Sequence, residues 1–84
     1  MRRPVHSSRY REFLKRLREA REKAGLPQVE VARRLGKPQS YVSKCESGER
    51  RVDVIELEDF AKLYGVSIGS FVSRLTGRRQ PTRA

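Results

Sequence analysis

The stretch that decides the fold runs Pro27-Gln28-Val29-Glu30-Val31-Ala32-Arg33-Arg34-Leu35-Gly36-Lys37-Pro38-Gln39-Ser40-Tyr41-Val42-Ser43-Lys44-Cys45-Glu46-Ser47-Gly48. It holds two short helical patterns. In the first, about Gln28 to Leu35, Val31, Ala32 and Leu35 share one face and Gly36 stands just past the end. In the second, about Gln39 to Ser47, Val42, Cys45 and Glu46 turn inward and Gly48 closes the run. Pro27 and Pro38 open the two patterns, which suits the first turn of a helix and biases Leu26 and Lys37 toward extended backbone. Two helices of about eight and nine residues joined by Gly36-Lys37-Pro38 form a helix-turn-helix. Gly36 sits where the turn needs positive φ, and the small Ala32 lets the second helix pass close to the first.

Outward from this core, the spacing predicts three more helices. The first runs from about Arg9 to Ala24, with Ser8 as N-cap and Gly25 beyond its end. Its inward stripe is Tyr10, Phe13, Leu14, Leu17, Arg21 and Ala24. The fourth covers about Val54 to Tyr64, turning Val54, Leu57, Phe60, Ala61 and Tyr64 to the core. Asp53 followed by Glu56 resembles a capping box, and Gly65 suits a left-handed C-terminal position. The fifth covers about Ile68 to Leu75, capped by Ser67. Residues 1–8 and 76–84 show no period and read as flexible basic arms around a domain at 9–75. No strand alternation appears, so the expected fold is an all-α, compact five-helix bundle.

At 84 residues the chain has room for one compact domain, without a separate effector domain. Composition narrows the function further. One cysteine, Cys45, makes no internal disulfide, and one histidine, His6, makes no metal cluster. There is no phosphate-cradling glycine loop and no plausible catalytic triad, so an enzyme reading and a cofactor find no support. No apolar run approaches the ~20 residues a bilayer crossing needs, and no secretory segment follows the start. A cytoplasmic, nucleoid-associated protein without membrane contact is the expectation.

The net charge is +10, unevenly placed. Residues 1–25 carry nine basic and three acidic side chains, whereas residues 52–75 carry two basic and four acidic. A basic first two-thirds with an acidic last element points to a polyanion partner.

From about Leu17 to Phe71 the sequence resembles the phage-repressor-like (Cro/repressor), XRE-type helix-turn-helix family. The resemblance rests on residues 27–36, 39–48 and 57–66, matched in order and spacing. In the family these read approximately Thr-Gln-x-x-Leu-Ala-x-x-Leu-Gly, then a polar helix start leading to Ser-x-x-Glu-x-Gly, then an apolar fourth helix ending in Gly-Val. It implies a repressor-like bundle whose third helix reads double-stranded DNA. Four positions depart from the pattern. Pro27 and Pro38 stand where hydroxyl residues commonly cap, Lys37 where the turn is usually apolar, and Cys45 where a larger apolar residue is usual. The resemblance also implies a structural ion pair between Arg21 and Glu46. Both lie on apolar faces, where an unpaired charge costs several kcal/mol.

With Val42, Cys45 and Glu46 inward, the third helix turns Gln39, Ser40, Ser43, Lys44 and Ser47 outward. Glutamine pairs with adenine, lysine with guanine and serine with either, so these side chains suit base edges. Family resemblance puts Gln39, Ser40 and Lys44 first as base readers, with Ser43 next. Gln28 at a helix start, together with Tyr41, Ser47, Arg50 and Arg51, is expected to hold phosphates, which set register rather than sequence. On the fifth helix Val72 and Leu75 are left over from the core stripe, and relatives often dimerise there. A homodimer would match a pseudo-palindromic operator with half-sites about 10–10.5 bp apart. The reading is therefore a sequence-specific transcriptional regulator, a repressor first. Its rivals are an antitoxin-like regulator that also holds a protein partner, and an interaction adaptor that has lost DNA binding.

Overall fold

Apolar residues repeating every three or four positions generate five helices: α1 (Ser8–Lys23), α2 (Gln28–Leu35), α3 (Gln39–Ser47), α4 (Val54–Tyr64) and α5 (Gly69–Val72). The computed structural model describes residues 7–75, and no strand occurs among them. The arms expected at 1–8 and 76–84 lie outside the described residues, apart from Ser7 and Ser8.

Helix ends follow local chemistry. The Ser7 hydroxyl accepts from the Tyr10 backbone N–H at 3.1 Å, so Ser7, not Ser8, caps α1, which starts a residue earlier than expected. At its other end Ala24 is the C-cap and is exposed rather than inward, because the helix has already turned away. Pro27 and Pro38 occupy the N-cap positions of α2 and α3 rather than the first turn, and neither supplies a side-chain cap. The expected capping box at α4 forms in full: Glu56 N–H donates to Asp53 Oδ1 at 2.8 Å, and Asp53 N–H donates to Glu56 Oε1 at 3.0 Å. Between α2 and α3, Gly36 adopts φ 68°, which lets Lys37 N–H reach back to the Ala32 carbonyl at 2.9 Å.

The core is Phe13 and Leu17 of α1, Val31 and Ala32 of α2, Val42 and Cys45 of α3, four residues of α4 and Phe71 of α5. The α4 contribution is Leu57, Phe60, Ala61 and Tyr64. Phe60 stacks between Tyr41 and Tyr64 at centroid distances of 6.2 and 5.9 Å, and Phe71 meets Phe13 edge-on at 6.3 Å. Val54 was expected to join this layer but is 65% exposed. As the first residue of α4 it overshoots the packed side chains.

The fifth helix is shorter than its apolar stripe suggests. Ser73 is extended and Arg74 has φ 57°, so the chain leaves the helix after Val72. Serine hydroxyls compete for the backbone there, Ser70 donating to the Ser67 carbonyl and Ser73 to that of Gly69, each at 2.7 Å. Leu75 is therefore not part of a helical stripe with Val72. Arg16 Nη1 of α1 donates to the Ser73 carbonyl at 2.7 Å, and Arg9 Nε donates to that of Leu75, which ties this end to α1.

A polar pair joins the helices beneath the apolar layer. Arg21 Nε donates to Glu46 Oε2 at 2.6 Å and Arg21 Nη2 to Oε1 at 3.2 Å, in the two-pronged geometry that guanidinium and carboxylate favour. Arg21 Nη1 donates to the Leu26 carbonyl at 2.9 Å, and Gln28 Nε2 donates to Glu46 Oε1 at 3.0 Å. The two charged side chains are 12% and 5% exposed. The Glu46 hydrogen bond raises the Arg21 pKa further above its already high ordinary value. Removing either partner leaves the other charge buried, a loss of ~3–5 kcal/mol by comparison with other buried pairs. In a double-mutant cycle, Arg21→Ala and Glu46→Ala should couple by at least ~1 kcal/mol in urea unfolding; additive losses would mean that the pair does not act as a unit.

Candidate nucleic-acid interface

Helix α3 is set by its neighbours to present one polar face. Val42 and Cys45 are fully buried and Glu46 is held by Arg21 and Gln28, so the helix cannot roll without breaking both layers. Gln39, Ser40, Ser43, Lys44 and Ser47 are consequently all exposed on the opposite side. The structure thus brings together the four side chains expected to read bases. Ser47 has a local role as well: its hydroxyl donates to the Lys44 carbonyl and accepts from the Glu49 backbone N–H, both at 3.2 Å.

The start of α2 also contributes. Its first N–H groups have no intrahelical acceptor and no side-chain cap from Pro27, and the same holds at the start of α3. Helix N-termini of this kind attract anions. The Gln28 side chain itself turns to Glu46, leaving the backbone amides as the donors that face outward from this turn.

Tyr41, Arg50 and Arg51 sit in a tighter web than their sequence positions suggest. Arg50 Nη1 and Nη2 donate to the two oxygens of Glu56 at 2.9 and 2.6 Å. The Arg50 guanidinium lies 4.8 Å from the Tyr41 ring centroid, and Nη1 is 3.9 Å from Cys45 Sγ. The Lys37 ammonium sits 5.1 Å from the same ring, which itself packs on Phe60. Burial pushes the Tyr41 hydroxyl up to about 12 and raises the Cys45 thiol. Arg51 stacks 4.4 Å over Tyr10, whose hydroxyl accepts from the Val52 backbone N–H at 3.1 Å. The Arg50–Glu56 clamp spans the loop between α3 and α4, and sequence reading missed it. Its one signal was Glu56 itself, already assigned to the capping box.

On α2, Glu30 draws in both Arg33 and Arg34 at 2.6 and 2.7 Å. Those two hydrogen bonds hold its carboxyl down to about 2. The apolar edge beside α5 forms a groove of about 280 Å³ in which Val72 and Leu75 stand with Tyr10, Phe13, Val52 and Leu57. No described group of His, Cys, Asp and Glu side chains is placed to hold a metal, and no described helix is long and apolar enough to cross a membrane.

Two packed helices joined through a glycine in the left-handed region, with a polar outer face on the second, define a helix-turn-helix domain. A helix-turn-helix family model matches residues 17–71. Among solved structures, the chain is similar to an XRE-family like protein from Pseudomonas syringae pv. tomato str. DC3000. The two are 50% identical, with a TM-score of 0.76 over 83% of this chain and 85% of that one. No curated protein matches the chain. The chain belongs to the XRE-type helix-turn-helix family, which is made up of DNA-binding regulators rather than enzymes.

The clamp sets a pH dependence. Arg50 holds the Glu56 carboxyl down to about 2, below its ordinary value of 4.5. A carboxyl lowered on folding stabilises the fold above its unfolded pKa, and that stabilisation fades as pH falls through the folded one. Glu56→Gln keeps the backbone contact of the capping box but loses the charge. Compared by thermal unfolding at pH about 6 and about 3, the variant should lose less stability on acidification than the parent. An unchanged acid response would remove Glu56 from the account.

Proposed function

We propose that this chain is a sequence-specific DNA-binding transcriptional regulator that reads the major groove with α3 and acts as a repressor. Gln39, Ser40, Ser43 and Lys44 read base edges in this account. Phosphates are held by the first turn of α2 at Gln28, by Tyr41 and Ser47, and by Arg50 and Arg51. The observation that carries the reading is the outer face of α3, where amide, hydroxyl and ammonium groups are all exposed and no apolar or acidic side chain intrudes. Repression needs only occupancy of the operator. Arg50 is the most constrained of these contacts, since a phosphate must share it with Glu56. Arg51 keeps its charged head outward over Tyr10, which leaves it freer to meet a backbone oxygen.

The same reading includes a homodimer built at the α5 edge through Val72 and Leu75, so that two copies of α3 meet successive major grooves of a pseudo-palindromic operator. The groove beside those residues, whose walls are mainly aromatic and aliphatic with Arg9 and Arg51 also lining it, supports that choice of face.

Binding should be measured on DNA from the chain's own upstream region against scrambled DNA of equal length, across salt. A saturable preference is expected to persist at physiological ionic strength, and Gln39→Ala or Lys44→Ala should each reduce it by ~1–3 kcal/mol. Arg51→Ala should instead weaken both DNAs alike and lower the log–log salt slope by about 1. Equal binding to both DNAs, rising steeply as salt falls, would leave only the charge of +10 at work and overturn sequence-specific reading. In sedimentation, Val72→Glu should shift the protein toward monomer; an unchanged mass would place the dimer contact elsewhere.

A further inference from the structure

Helix α4 has an outer face that the bundle does not explain. Its first two residues, Val54 and Ile55, are 65% and 64% exposed. Both are β-branched, which lowers helix propensity, and both leave apolar surface in water without reward from the core. Glu58 and Asp59 follow on the same side, one turn along, and both are exposed, with Lys62 closing the face at its far end. Glu12, Glu30, Glu46 and Glu56 are all engaged with arginines of this chain. Among the described residues Glu58 and Asp59 are in no ion pair of that kind. Two exposed aliphatic side chains beside two exposed carboxylates have the arrangement of an interface, with an apolar centre and a charged rim.

The sign of the rim decides the occupant. DNA is repelled by it, so the face does not extend the α3 surface. A second copy docked here about a two-fold axis would bring the same patch to face itself, with two carboxylates against Lys62 alone on each side, so its net acidic charge would go unmatched. A protein surface with apolar side chains ringed by lysine or arginine meets the face with matched charge. We propose that Val54, Ile55, Glu58 and Asp59 form a docking site for a second, basic protein, separate from the face that reads DNA. This goes beyond DNA reading: a regulator so built holds a protein partner and an operator on different surfaces.

The test uses the full chain, isotopically labelled, titrated by NMR at about 150 mM salt with two amphipathic peptides of equal length, one leucine–lysine and one leucine–glutamate. The lysine peptide should perturb amides around Val54 to Lys62 and bind at least about tenfold more tightly than the glutamate peptide. The charge reversal Glu58→Lys with Asp59→Lys should abolish that preference, with an unaltered spectrum elsewhere to show that the fold is kept. Ile55→Ala should weaken peptide binding while leaving DNA affinity and sedimentation mass unchanged. Several outcomes would each overturn the proposal. These are no binding, equal binding of both peptides, perturbations centred on another face, lost DNA affinity in Ile55→Ala, or a change in oligomeric state in that variant.

Discussion

The fork between Arg21 and Glu46 is the constraint on which the rest of this small protein depends. The apolar face of α3 is thin, only Val42 and Cys45 being fully buried, and a surface so small and smooth does not by itself fix how the helix is rotated. A directional pair does. Glu46 accepts from Arg21 of α1 and from Gln28 of α2 while standing on α3, so three helices meet at one carboxylate. Buried ion pairs often add little net stability against an apolar replacement, but a pair with a single satisfying geometry excludes other rotations. That exclusion is what keeps Gln39, Ser40, Ser43 and Lys44 on one outer face.

The same economy recurs at the surface. With twice as many basic as acidic residues, the carboxylates act as clips that place particular arginines. Glu30 gathers Arg33 and Arg34 along α2, and Glu56 clamps Arg50 across the loop after α3. Glu56 also closes the capping box of α4, so one side chain fixes both a helix start and the loop that leads into it. Tyr41 binds the arrangement from the other side, its ring touched by Lys37 and Arg50 and backed by Phe60. Cations held in this way are pre-positioned beside α3, which lowers the cost of ordering them on any anion they meet.

A domain of this size has little interior, so each helix divides its surface between core and exterior tasks. In α4 the division is sharp. Leu57, Phe60, Ala61 and Tyr64 build the core, while Val54, Ile55, Glu58 and Asp59 look outward. On α5, which is barely one turn long, Phe71 supplies the core contact and Val72 is left at the edge of a groove.

The 3.6-residue period, read along the chain, determined most of the architecture. It placed α2, α3 and α4, their glycine ends, the Asp53 capping box, the inward Val42–Cys45–Glu46 face and hence the outward polar face of α3. These follow from spacing within one helix, a local property that sequence records directly. Contacts between elements had no such record. That Ser7 rather than Ser8 caps α1, that Val54 overshoots the core, and that serine hydroxyls and Arg74 stop α5 before Leu75 were decided where segments compete for the same backbone groups or space. The Arg50–Glu56 clamp and the turn of Gln28 toward Glu46 depend on which long side chains come within hydrogen-bond reach once the helices are packed. No periodicity encodes that distance, so only the tertiary structure could set it.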